Sequence, residues 1–415
     1  MHPIYIIGTC DTKFHELDFV RQRIIETGQK TVLVDVGTLA HSHSADITAQ
    51  DIANFHPTRK DLLQKNDGRG DAVIAMSDAL VEFLLSRDDI GGVIGLGGSG
   101  GTALITKGMQ ALPVGLPKVM VATVASGNVS PYVGATDICM MYSITDIAGI
   151  NQVSNTILAN AAHAIAGMVR EKVPEYKVQK PALGMTMFGV TTPCVNQIRE
   201  KLENEYDCLI FHATGTGGRS MEKLIDSGFI SYVIDMTLTE VCDLQMGGIM
   251  SAGEDRLGAI IRTKVPYIGS VGALDMVNFG HINTVPEKYK NRNLYRHNEQ
   301  VTLMRTTPEE NHHMGIWIAN KLNQCDGPVR FFLPEKGVSL IATEGQPFHD
   351  PQADQALFDA ISSTLNQTAN RKLISLPYHI NDPKFKGKKV VDHLIDYEVV
   401  NIQSIAYFSS VGKEL

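Results

Sequence analysis

An apolar, strand-like run ends in GVIGLGGSGGT, where Gly97, Gly98, Ser99, Gly100, Gly101 and Thr102 lead into a helix-like stretch. Glycines let a backbone pass close to a ligand, and the unsatisfied N–H groups and dipole at a helix start favour an anion such as phosphate. One or two glycines would serve a plain tight turn, so four around a serine point to phosphate chemistry. The same letters fit G-x-S-x-G, the nucleophile elbow of serine hydrolases, with Ser99 as nucleophile. That reading needs an acid and a histidine, and Asp275 with His281 or Asp350 with His349 are candidates without a known triad spacing.

A second candidate loop is GTCDTK, with Gly8, Thr9, Asp11, Thr12 and Lys13 after the first apolar run. Open α/β sheets place ligands at the carboxyl ends of their strands, and Lys13 could meet a phosphate there. The spacing is neither GxxxxGK[ST] nor GxGxxG. Asp11 or Thr12 capping the next helix, with Lys13 as a solvated charge, is an equal alternative. Asp35 ends the next strand where a ribose-binding carboxylate sits in nucleotide folds, and Thr123, Ser126, Gly127, Asn128 and Ser130 follow another strand. In the second half, Thr214, Gly215, Thr216, Gly217, Gly218 and Arg219 form a further helix start suited to an anion, beside His212 and Glu222. Glu254, Asp255 and Glu344 lie in Gly- or Pro-containing segments, and His312 and His313, being adjacent, point to different helix faces.

The elements that must position these residues alternate short apolar runs with amphipathic segments, the pattern of βαβ units around a largely parallel sheet. Strands are expected at Ile4 to Ile7, Thr31 to Val36, Gly92 to Leu96, Lys118 to Ala122, Ile138 to Met141 and Leu183 to Phe188. Helices are expected at Glu16 to Glu26, Ala72 to Ser86, Thr102 to Leu112 and Val195 to Tyr206. The charged, Pro-punctuated segment 171–181 reads as a linker between domains at 1–175 and 181–415. The fold class is α/β, with two Rossmann-like parallel-sheet domains. DCLIFHATGTGGRSMEKL repeats the logic of GGVIGLGGSGGTALITKG, as a duplication would.

The chain of 415 residues has a formal net charge of −8 and 43% hydrophobic residues, which suits two globular domains and gives no general attraction to nucleic acid or anionic lipid. No run approaches the roughly 18 apolar residues of a membrane span, so no membrane partner is expected. The six cysteines are scattered without zinc spacing, and a cytoplasmic location with reduced thiols is the simple expectation.

At GTCDTK, GLGGSGGT, NVSPYVGATD, HATGTGGRSME and QPFHDPQAD, taken in order, the chain resembles uncharacterised protein family 0261. That family includes the N-terminal region of the plant tomato mosaic virus resistance protein, and the resemblance spans nearly the whole chain. It implies an ATP-binding α/β subdomain followed by a second α/β subdomain, and a homodimer. It places the nucleotide among Gly8, Thr9, Asp11, Thr12 and Lys13 of one loop and Gly97, Gly98, Ser99, Gly100, Gly101 and Thr102 of the other. The expected cofactor is therefore ATP, with or without magnesium, and the expected partner a nucleotide or phosphorylated small molecule. A regulatory module gated by ATP and a Ser99 hydrolase are the alternatives.

Overall fold

The computed structural model describes residues 2–39, 43–58, 69–171 and 180–386. The chain divides into two units, Met1–Tyr176 and Lys177–Leu415. Most of the expected linker at 171–181 lies outside the described residues.

The first unit runs β1 (Ile4–Gly8), α1 (Cys10–Glu26), β2 (Thr31–Asp35), α2 (Ala49–Ala53), α3 (Arg69–Leu85), β3 (Gly92–Gly97), α4 (Ser99–Ala111), β4 (Lys118–Ala122), α5 (Ser130–Val133), β5 (Cys139–Tyr142) and α6 (Gln152–Arg170). Its strands form one parallel sheet in the order β2-β1-β3-β4-β5. Both faces are covered, which is why β1 and β3 read as unbroken apolar runs rather than alternating ones. Tyr5 and Ile7 pack into a core with Leu80, Leu84 and Ile105 of α3 and α4. Ile4 and Ile6, pointing the other way, meet Leu17 and Val20 of α1 and Leu158 and Ile165 of α6. Asn151 starts α6 as its cap, its side chain accepting from the Val153 and Ser154 amides.

The second unit runs β6 (Ala182–Met187), α7 (Thr192–Leu202), β7 (Asp207–His212), α8 (Thr216–Asp226), β8 (Tyr232–Thr237), α9 (Thr239–Met246), α10 (Gly258–Thr263) and β9 (Tyr267–Gly272). A small antiparallel sheet follows, made by β10 (Met276–Phe279), β11 (Leu294–Arg296) and β12 (Thr302–Arg305). The unit closes with α11 (Pro308–Asn323), β13 (Val329–Pro334), α12 (Pro351–Thr364), β14 (Arg371–Leu376) and α13 (Pro383–Lys386). Its large sheet is again parallel, in the order β14-β13-β9-β8-β6-β7. Numbered within each unit, the first sheet is 2-1-3-4-5 and the second is the same order with a sixth strand added. Both are Rossmann-like. Among the described residues no helix is long and apolar enough to cross a membrane.

The shared order corrects the expected match between the two glycine-rich loops. GLGGSGG follows β3, the third strand of its unit, whereas HATGTGG follows β7, the second strand and a sheet edge.

Candidate functional site

In the first sheet β1 and β3 lie side by side, Ile7 opposite Gly95, while β1 sends its own connection the other way to β2. This is the point where the strand order reverses, and such sheets bind ligands in the crevice beyond the strand ends there. Both expected loops, after Gly8 and after Gly97, therefore sit at adjacent strand ends.

Helix α4 begins at Ser99, three residues before the expected Thr102, so Ser99, Gly100 and Gly101 form its first turn. Those amides have no helical acceptor. Gly98 is the N-cap, and no side chain caps the helix. Gly97 is required sterically, since a Cβ there would lie 2.6 Å from the Thr102 nitrogen. Thr102 is buried and holds the turn: its amide donates to Gly98 O at 2.8 Å and its hydroxyl to Gly97 O at 3.3 Å. Gly98 and Ser99 line a cavity of about 370 Å³ with Thr123, Tyr142, Ile144, Thr145 and Asp146, a volume suited to a small ligand.

The wall made by residues 142–146 is shaped by an unusual turn. The Thr145 amide donates to Ser143 O at 2.7 Å around Ile144, whose φ is +64°. A γ-turn of this hand is rare and strained, and more so with a β-branched residue at its centre. Helix α1 holds the segment in place. Lys13 Nζ donates to Ile147 O at 2.5 Å, and the buried Glu16 carboxylate accepts from the Gly149 amide. Lys13 thus spends its ammonium on a backbone carbonyl beside the cavity.

The α1 start is served by a carboxylate of the chain itself. Asp35 Oδ1 accepts from the Cys10 amide at 2.9 Å and the Gly37 amide at 2.8 Å, which makes this buried residue a cap and turn former. Asp11 Oδ2 accepts from the Thr38 and Leu39 amides at 3.2 and 3.0 Å. Thr9 and Thr12 pair their hydroxyls at 2.7 Å. Gly8 packs against Leu17, which a Cβ would meet at 2.6 Å. Burial, with Asp35 next to it, pushes the Cys10 thiol up to about 12, so it stays protonated at neutral pH.

The α8 start in the second unit is also filled. Glu240, in the first turn of α9, accepts the Gly215 and Gly218 amides on Oε1 at 2.7 and 3.0 Å. Its other oxygen takes Arg256 Nε at 2.8 Å. The buried Arg256 also pairs with Glu222 at 3.1 Å and Asp235 at 2.8 Å, and Tyr267 and Thr186 donate to Asp235. Three carboxylates against one guanidinium leave excess negative charge. Burial pushes Glu222 and Glu240 up while Arg256 pulls them back.

Comparison with known proteins follows this division. The description "Uncharacterised protein family (UPF0261) N-terminal domain" matches residues 2–174, and its C-terminal counterpart matches 180–397. The chain belongs to family UPF0261. A UPF0261 protein of Rhizobium meliloti is 56% identical over 93% of this chain and 96% of its own length. One from Clostridium tetani is 48% identical over 94% and 98%. The ToMV resistance protein Tm-1 of Solanum lycopersicum is 42% identical over 95% of this chain, which spans 55% of the tomato protein.

Several of the remaining candidates of this UPF0261 chain have structural partners. Asp275 is buried and accepts from Ser339 Oγ at 2.7 Å, and burial pushes its pKa up. His281 accepts from the Asn283 amide at 3.2 Å, Asp350 caps α12 through the Ala353 amide at 3.0 Å, and His349 Nδ1 lies 3.2 Å from Ala342 O. No hydrogen bond joins either proposed acid–histidine pair among the described residues. His212 tilts against Phe188 at 5.4 Å, and Arg219 is exposed. His312 and His313 have ring centres 6.1 Å apart on α11. The sequence reading missed the wall residues Tyr142, Ile144, Thr145 and Asp146; the signal available was a strand end followed by SITD, without any glycine.

Proposed function

We propose that the first unit binds ATP, with its phosphates at the start of α4 and the rest of the nucleotide in the crevice beyond β1 and β3. The observation that carries this reading is the cavity of about 370 Å³ lined by Gly98 and Ser99 at a helix start that no side chain caps. Of the three candidate helix starts, those of α1 and α8 have amides engaged by Asp35 and Glu240, which supports the α4 start as the one built for an outside anion. The homodimer and the cytoplasmic location belong to the same reading, and light scattering of the purified chain tests the first. The virus resistance in the tomato relative's name is not extended to this chain.

A second reading, ATP binding without turnover, is favoured over the Ser99 hydrolase by the lining. It contains no histidine among the described residues, and Ser99 lacks the positive φ of a strained elbow.

Thermal-shift titration with ATP, ADP, AMP, NAD and inorganic phosphate tests the proposal. ATP at 100 times its Kd adds about 2.7 kcal/mol, and Gly98→Val, which fills the cavity mouth, removes the response. Lys13→Ala weakens it without removing it, because Lys13 holds the wall at Ile147. A wild-type chain that responds to no nucleotide overturns the reading.

A further inference from the structure

The motif QPFHDPQAD closes a loop of the second unit and starts α12. Residues 339–350 lie between β13 and α12, with Glu344, Gly345, Gln346 and Pro347 exposed in the middle, and both ends are fastened to buried charge. At the first end Ser339 Oγ donates to Asp275 Oδ2 at 2.7 Å and accepts from the Ile341 and Ala342 amides, each at 3.2 Å. At the second, Arg305 donates from Nε to Phe348 O at 2.8 Å, and from Nη2 to Asp350 O at 3.2 Å and Asp354 Oδ1 at 2.6 Å. Met276, next to Asp275, pairs with Arg305 across β10 and β12, so the two anchors are neighbours. Compact loops whose ends meet in this way are frequently functional.

The loop covers the region where the second sheet reverses its strand order, between β6 and β8. Sheets of this kind take ligands beyond their strand ends there. Ile341 and the buried Phe348 belong to one apolar cluster with Phe188 and Val190, which follow β6, and Ala273, which follows β9. The Leu340 amide donates to Val190 O at 3.1 Å, so the chain's own loop closes this end of the sheet.

The fastening is short of positive charge. Asp275 and Asp354 are buried and share the single guanidinium of Arg305, and Asp275 Oδ1 has no hydrogen bond among the described residues. Two ionised acids around one cation leave a net negative charge in the interior, which one proton relieves. The neighbouring groups do not offset it. Cys242 of α9 is a thiol that burial keeps protonated, Asp350 is a further acid at the α12 cap, and Arg292 is committed to Glu310 and the Arg305 carbonyl. Burial pushes Asp354 up to about 6 from the usual 3.8, with Arg305 pulling it back and Asp275 adding to the rise; burial pushes Asp275 up as well. A loosened loop returns Asp354 to water and toward its usual value, so the closed form holds the proton more tightly. The stability this gives the closed form is full below about 3.8 and is lost as pH rises through about 6.

We propose that residues 339–350 are a proton-sensitive strap over the strand ends of the second sheet, latched by the Asp275–Arg305–Asp354 cluster while one of its acids is protonated and loosened when both are ionised. The inference does not rest on the ATP reading of the first unit. It gives QPFHDPQAD a role through its two ends, Phe348 as the plug and Asp354 as the latch.

Amide hydrogen exchange of the intact chain at about pH 5 and about pH 7.5, corrected for the intrinsic rate at each pH, tests it. Relative to the amides of β8, protection at Ile341, Ala342 and Phe348 falls about ten-fold between the two values in the wild type. Asp354→Asn, which keeps the shape of the protonated acid, holds the loop at its low-pH protection at both. Equal wild-type protection at the two pH values overturns the proposal, and that comparison stands whether or not the variant folds. A fall shared by β8 also overturns it, since the unit then loosens as a whole. So does an Asp354→Asn loop that keeps the wild-type pH dependence, because the proton then sits outside this cluster.

Discussion

The starts of α4 and α8 use nearly the same letters, GGSGG and GTGG, and differ in what sits on their amides. At α8 a carboxylate from the first turn of the following helix, Glu240, occupies the amides of Gly215 and Gly218 and is locked from behind by Arg256. At α4 the amides face a cavity in whose lining the one carboxylate among the described residues, Asp146, is exposed. Both are helix starts whose amides suit an anion, and on the reading proposed above only that of α4 is left open to a ligand. Glycine spacing marks a helix start suited to an anion, and at α8 an internal acid already fills it.

The comparison breaks most sharply at Glu240. Glu240→Ala leaves the Gly215 and Gly218 amides in the interior without their acceptor, while Arg256 keeps Asp235 and Glu222, and each buried polar group left unsatisfied costs about 1–3 kcal/mol. Urea unfolding should show a loss of that size, partly restored by acetate or phosphate if the loop is an anion site; no rescue at any concentration argues that it is only a packing joint. Gly218→Ala comes next, because its Cβ would sit 2.1 Å from Glu240 Oε2, and overpacking of this kind costs about 1–3 kcal/mol.

Acidity separates the units further. Burial pushes Asp243 up to about 7, against the usual 3.8, so between those values the folded chain binds a proton that the unfolded chain has released. The stability contributed by this group is present at low pH and is lost as pH rises toward 7. Asp243→Asn should flatten that part of the stability–pH curve, and an unchanged slope would place the proton elsewhere. Gly98→Ala gives the smallest effect on folding, within about 0.5 kcal/mol, since the nearest atom to its Cβ is Thr123 Oγ1 at 3.9 Å. A large loss in the melting temperature of this variant would mean that the α4 start is as tightly packed as that of α8.

Much of the fold was legible because buried parallel strands leave largely apolar runs, as at Ile4–Gly8 and in the VMVA that follows Lys118. Helix starts were less so: α1 opens with a turn at Cys10 and kinks at Lys13, whose φ of −134° and ψ of 21° are not helical, so the expected Glu16 lies in the stretch after the kink and the polar turn before it carried no apolar period. The small sheet β10–β12 gave no signal, its strands being only three or four residues long. In the candidate site the glycine loop was legible from composition. The partners of Lys13, Asp11 and Glu240 were not, since they lie 134, 27 and 25 residues away along the chain. Loop-to-loop hydrogen bonds of that range carry no local period to read.

Ile144, held at positive φ in the cavity wall, sets two selective pressures against each other. A residue in such a conformation costs roughly 1–3 kcal/mol and persists where its surroundings over-determine it. Directed evolution for heat resistance alone should therefore drift toward glycine or asparagine at this position, gaining melting temperature while loosening the wall that carries Thr145 and Asp146. Enrichment of such variants under heat, followed by their depletion once ligand binding is also demanded, would mark this turn as conformational strain retained for recognition.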